Sequence, residues 1–129
     1  MCGIVGYVGK KINLQTVIEK LQKLEYRGYD SAGIAFIKNK EISAIKEANK
    51  IDSLINKTEG LQGRICISHT RWATHGDVNV TNAHPQISYK SNFAVVHNGI
   101  IENYKDLRSK IGEDKFVSQT DTESVVNLL

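Results

Sequence analysis

The residue with most capacity for covalent chemistry stands at position 2. Cys2 follows the initiator methionine, and a side chain that small permits removal of Met1. The chain would then begin with an α-amine and a thiol on one carbon skeleton. An α-amine titrates near ~7.7–8.0 and a free thiol near ~8.5, so one residue can supply both base and nucleophile at neutral pH. The other reading of a cysteine there is a small buried hydrophobe. His97-Asn98-Gly99 offers a second function. An Asn amide and the N–H of the following Gly can converge on one oxygen, as donors fixed where negative charge develops. The same dipeptide is also the leading signal for a type I′ turn. Two further segments, Arg27-Gly28-Tyr29-Asp30-Ser31 and Ser68 to Gly76, bring an arginine each. The planar fork of Arg71 fits a carboxylate, and Asp121 at a helix start can receive an ammonium, so the pair could grip both ends of an α-amino acid. A surface ion pair and a local helix cap are the ordinary uses of such residues. His69, His75, His84 and His97 follow no compact ligand spacing, and C-x-x-C and H-E-x-x-H are absent from the sequence, so no metal is expected. Cys66, between Ile65 and Ile67, reads as an inert strand residue.

These residues need elements to hold them. GIVGYV at 3–8 reads as a short strand. Leu14, Val17, Ile18, Leu21 and Leu24 mark one face of a helix over 14–24, with Gly28 as its stop. The apolar runs 33–38 and 41–46 form a hairpin about Asn39-Lys40, and Ile51, Leu54 and Ile55 predict a short helix ending near Gly60. Residues 64–68 and 92–97 are apolar enough for buried strands. Asn103 is placed to cap a helix that carries Tyr104, Leu107 and Ile111 and stops at Gly112. Thr120 and Glu123 fit a capping box before an apolar stripe of Val125, Leu128 and Leu129. That stripe would need covering, which predicts that the chain is the N-terminal piece of something longer. The stretch 72–92 lacks regular pattern and is rich in Thr, His, Asn and Gly, the composition of a functional loop.

Composition bounds the remaining possibilities. The 129 residues are one domain in length, with 40% hydrophobic and 24% charged residues. The net charge of +3 is scattered, which argues against nucleic acid as a partner. No apolar run approaches the roughly 18 residues of a membrane span. The N-terminal apolar run precedes Lys10 and Lys11 instead of following them, the wrong order for a secretory signal. Two widely separated cysteines suit a cytoplasmic protein with reduced thiols.

In order, the motifs read Cys2-Gly3-Ile4, YRGYDSAG at 26–33, SHTRWATHG at 68–76, NAHP at 82–85, HNGIIENY at 97–104 and TDTE at 120–123. Together they resemble the N-terminal class II glutaminase domain of the glucosamine-6-phosphate synthase (glutamine–fructose-6-phosphate aminotransferase) family. The likeness runs from Cys2 to the last residue, covers about half of that glutaminase domain and lacks the sugar-isomerase domains. Val78 and Gln86 depart from the family's usual proline and histidine, at positions with no expected chemical role. The resemblance implies an α+β, N-terminal-nucleophile hydrolase fold, a four-layer αββα sandwich of antiparallel sheets, incomplete in residues 1–129. It implies hydrolysis of the L-glutamine side-chain amide without a cofactor, with ammonia passing to fructose 6-phosphate only through the absent C-terminal domains. Cys2 would be the nucleophile, with Arg27 beside it, and Asn98 and Gly99 the oxyanion donors. Arg71 would bind the α-carboxylate and Asp121 the α-ammonium. Trp72, Thr74 and His75 would line or close the pocket. The intact enzyme would be a homo-oligomer. Another class II amidotransferase with a different acceptor, or an inactive fragment, remains open at this point.

Overall fold

In a computed structural model of the chain, residues 2–27, 30–48, 51–73 and 76–129 are described, with Arg27 described for its backbone only. The main sheet has four antiparallel strands: β1 (Gly3–Asn13), β2 (Ser31–Lys38), β3 (Glu41–Ala48) and β4 (Gln62–Arg71), in the order β1-β4-β2-β3. The register pairs Gly3 with Thr70, Tyr7 with Cys66 and Ser31 with Arg71. Because side chains alternate across a strand, even residues of β2 and β4 share one face and odd residues the other.

The even face is covered by α1 (Leu14–Gln22) and α2 (Ile51–Lys57). Leu14, Val17, Ile18 and Leu21 recur at helical spacing and are all buried. They meet Ala32, Ile34, Phe36, Cys66, Ile51 and Leu54 in one apolar cluster. Each fully buried Leu or Ile there contributes about 1.5–3 kcal/mol relative to exposure. The helix ends at Gln22, two residues short of the predicted end at 24, and a 3-10 turn follows at Glu25–Arg27; Gly28 lies outside the described residues. The hairpin forms as expected. Asn39 and Lys40 both take positive φ, 51° and 65°, the type I′ geometry that matches strand twist.

The odd face carries a second, smaller layer. β5 (Gln86–Ile87) and β6 (Ala94–Val95) pair antiparallel, backed by α4 (Thr122–Leu128), on which α3 (Tyr104–Ile111) packs. The two layers approach closely at Gly33, where any Cβ would collide with the His84 carbonyl oxygen. The resulting order of layers is helix, sheet, sheet, helix.

Three expectations are corrected. The apolar run 92–97 yields only the two-residue β6, half-buried, with Phe93 exposed, because it finds a partner along just Gln86–Ile87. Asn103 occupies the N-cap position of α3 but its side chain makes no cap bond, and no residue of that helix is buried. In α4 the cap is Asp121, which accepts from the Thr122 N–H, and not Thr120. Glu123 reaches back instead to the N–H groups of Val117 and Ser118, at 2.9 and 2.7 Å. Those bonds turn Thr122, Glu123, Ser124, Val126 and Asn127 inward, so Leu128 and Leu129 remain exposed. Among the described residues, no helix is long and apolar enough to cross a membrane.

Candidate active site

The site forms where β1 begins and β4 ends. Gly3 N–H donates to Thr70 Oγ1 at 2.9 Å, which pins the chain start against β4. The glycine is required sterically, since a Cβ there would lie 2.7 Å from Leu24 Cβ and 2.9 Å from Thr70 Oγ1. Cys2 is therefore held beside the turn out of β4. Its sulfur accepts the Trp72 N–H at 3.0 Å and lies 3.7 Å from the Trp72 carbonyl oxygen. The sulfur is half-buried, in contrast to Cys66, whose thiol lies in the apolar cluster and is pushed up in pKa by burial.

The 98–99 segment closes one side. Asn98 Nδ2 donates to the Cys2 carbonyl at 3.0 Å across 96 residues of sequence. Asn98 lacks the positive φ of a type I′ turn, so the hairpin reading of Asn-Gly does not apply here. Gly99 has φ +149° and faces the same cleft, and a Cβ there would press on the His97 ring. The cleft is lined by Cys2, Arg71, Trp72, Gly99, Thr120 and Asp121, together with His69, His84 and His97.

Arg71 and Asp121 lie in that same cleft. Arg71 is buried; its Nη1 donates to the Asp77 carbonyl at 3.1 Å. Burial pushes its guanidinium below the ordinary value, and Asp30, Cys2 and Asp121 oppose that. Asp121 accepts from Ile101 N–H at 2.7 Å and Thr122 N–H at 3.0 Å, one bond per oxygen. Each carboxylate oxygen has acceptor capacity beyond one bond. Asp30 fixes the exit from β4, accepting from the Ala73 N–H while its own N–H donates to the Arg71 carbonyl at 2.8 Å.

Of the sequence-predicted site residues, Cys2, Asn98, Gly99, Arg71, Trp72 and Asp121 come together, with Trp72 55% exposed at the rim. Thr74, His75 and the side chain of Arg27 lie outside the described part of the structure. Sequence reasoning weighed His69 and His84 only as metal ligands and missed that their rings stack, at 4.4 Å. It gave no role to Asn82 or Gln119. Asn82 Nδ2 donates to Gln119 Oε1 and the Asp77 carbonyl, and Gln119 N–H donates to Asn82 Oδ1, each at 2.8 Å. That knot ties the loop after β4 to the segment before Asp121. The prior signals were the NAHP motif at 82–85 and the density of Asn and His in 72–92. Gln86, one of the two departures, is buried and donates to the Thr81 and Ala83 carbonyls, which makes it a loop brace.

Known proteins resemble this chain in sequence and fold. The glutamine--fructose-6-phosphate aminotransferase of Clostridium perfringens is 48% identical over 134 residues, and that of Caldanaerobacter subterraneus 50% over 133. Each match takes in 100% of this chain and 22% of the relative, so the chain spans about a fifth of their length. Among solved structures, the glutamine phosphoribosylpyrophosphate amidotransferase of B. subtilis, complexed with ADP and GMP, superposes with a TM-score of 0.76 at 25% identity. A structure described as the allosteric regulatory enzyme of purine biosynthesis gives 0.77 at 26%. Each covers 97% of this chain and uses 28% of its own. The fold is accordingly that of the N-terminal-nucleophile amidotransferases, α+β with antiparallel sheets. The profile of the class-II glutamine amidotransferases matches residues 14–129, and with the relatives above it shows that the chain belongs to that family.

Proposed function

We propose that this protein hydrolyses the side-chain amide of L-glutamine to glutamate and ammonia, and that in its intact form the ammonia aminates fructose 6-phosphate. One observation carries the reading. The Cys2 sulfur, a buried arginine and a carboxylate line one cleft, beside an Asn carboxamide that bonds the nucleophile's own residue.

The chemistry follows from those positions. With Met1 removed, the Cys2 amine takes the thiol proton and the sulfur attacks the glutamine amide carbon. The tetrahedral oxyanion meets Asn98 Nδ2 and the Gly99 N–H. Collapse breaks the C–N bond, the proton passes to the leaving nitrogen, and ammonia departs from a thioester. Water then adds to the thioester, glutamate leaves and the thiol is restored. Arg71 takes the substrate α-carboxylate and Asp121 its α-ammonium. Trp72 borders the pocket; by the motifs shared with the family, Thr74 and His75 would line it too and Arg27 would act beside the nucleophile. Sugar acceptance, homo-oligomer formation and a cytoplasmic location belong to the same reading. Identity of 48–50% to the aminotransferases, against 25–26% to the purine-pathway structures, favours fructose 6-phosphate over another acceptor.

The test is glutamine hydrolysis by a preparation of known intact mass. The active species should lack Met1, and 6-diazo-5-oxo-L-norleucine should modify Cys2 and leave Cys66 untouched. Turnover by a homogeneous Met-retaining sample would refute the mechanism, because an acylated nitrogen is no base.

A further inference from the structure

We propose that His69 is a positioning residue, whose Nε2–H sets which end of the Asn98 carboxamide faces the nucleophile. Its kinetic consequence rests on the glutaminase reading above; its structural content rests on hydrogen bonding alone.

Asn98 is held at both ends. Nδ2 lies 3.0 Å from the Cys2 carbonyl, and Oδ1 lies 2.8 Å from His69 Nε2. The Cys2 carbonyl can only accept, so the Asn98 atom facing it must be the amide nitrogen. That leaves Oδ1, also an acceptor only, toward His69. His69 Nε2 must therefore carry hydrogen. The opposite tautomer would present a lone pair at Nε2 and draw the Asn98 nitrogen to it. The carbonyl oxygen would then face the Cys2 side, where it would oppose a developing oxyanion instead of donating to it.

The surroundings hold the ring in this state. His69 is 1% exposed, and its Nδ1 is buried without a hydrogen-bond partner among the described residues. A bare acceptor nitrogen tolerates that isolation better than an N–H cation would. His84 stacks on the ring with a 20° interplanar angle, which fixes its plane. Burial is the main cause that lowers His69 to about 4, so it is neutral at physiological pH.

Two measurements decide the matter. A long-range ¹⁵N–¹H spectrum of the histidine-labelled protein at pH 7, with H69Q assigning the signal, should show His69 with a protonated Nε2 and a bare Nδ1. An Nδ1–H ring or an imidazolium overturns the proposal. Steady-state kinetics supply the second. His69→Phe keeps a flat ring against His84 without a donor, and should lower kcat by about 10- to 100-fold with KM within about threefold. His69→Gln, which restores an N–H, should recover at least about fivefold of that loss. Wild-type kcat in H69F, or equal losses in both variants with KM rising in step, overturns it as well. If H69F does not fold, H69Q and the spectrum carry the test. If the wild-type protein releases no ammonia, the glutaminase reading fails, and the spectrum alone decides the orientation of Asn98.

Discussion

Two buried regions on opposite faces of β4, one around Cys66 and one around His69 and Arg71, are built from opposite materials. On the even face, Cys66 sits with Ile34 and Phe36 under α1, in a cluster without a charged group. On the odd face, His69 and Arg71 are as deeply buried, yet they meet His84, Thr120 and Asp121. The apolar face stabilises through area removed from water, which is tolerant of detail. The polar face stabilises nothing unless each donor finds its acceptor, so its residues are committed to one geometry. Stability and chemistry are thus divided between opposite sides of one strand, about 3 Å of rise per residue.

The two cysteines give the sharpest way to break that division. Cys2→Ala should abolish glutamine hydrolysis, by about 10⁴-fold or more. Cys66→Ala should leave the rate near wild type and cost about 1–2 kcal/mol in urea unfolding. Similar activity in the two variants would erase the distinction between the faces. Larger side chains extend the contrast. Leu21→Ala, with its side chain wholly buried, should lose about 2–5 kcal/mol of stability while KM for glutamine stays put. Arg71→Lys should do the reverse, raising KM about tenfold, the equivalent of ~1.4 kcal/mol, because an ammonium cannot reproduce the bidentate fork.

The smallest effect concerns pH. Burial lowers His69 to about 4 and His84 to about 2, both below the 6.5 of an unfolded histidine. Below 6.5 the unfolded chain therefore binds protons that the folded chain refuses. Stability is fully present above that value and falls as the pH drops toward 4, by up to about 1.4 kcal/mol per pH unit for each ring. His84→Gln should remove one of the two contributions to the slope between pH 6 and 5, measured by urea titration at each pH. An unchanged slope would mean that His84 is not held neutral by the fold.

How much of this was legible beforehand depends on the range of the interaction involved. The helix over Leu14, Val17, Ile18 and Leu21 and the hairpin about Asn39-Lys40 were readable because periodicity and turn conformation are local. The apolar run at 92–97 and the capping box of Thr120 with Glu123 misled for a shared reason. Sequence pattern states what could be buried or bonded, and only a ladder partner or a tie such as Glu123 to Ser118 decides what is. Asn98-Gly99, a strong hairpin signal, closes a cleft instead, while a turn without glycine makes the hairpin. Among the candidate site residues, type and order marked Cys2, Asn98, Gly99, Arg71 and Asp121, whereas nothing local showed that Asn82 would bond Gln119 or that His84 would stack on His69.

The sequence by itself determined that Cys2 and Gly3 stand next to each other on the approach to β1, and the apolar halves of α1 and α2. Those depend on covalent order and on spacing within a few residues. Tertiary structure decided that Asn98 reaches across 96 positions to Cys2, that its amide is oriented by His69, and that α4 turns a polar face inward. The physical reason is that a hydrogen-bonding group has many possible partners along a chain, and folding selects one by geometry.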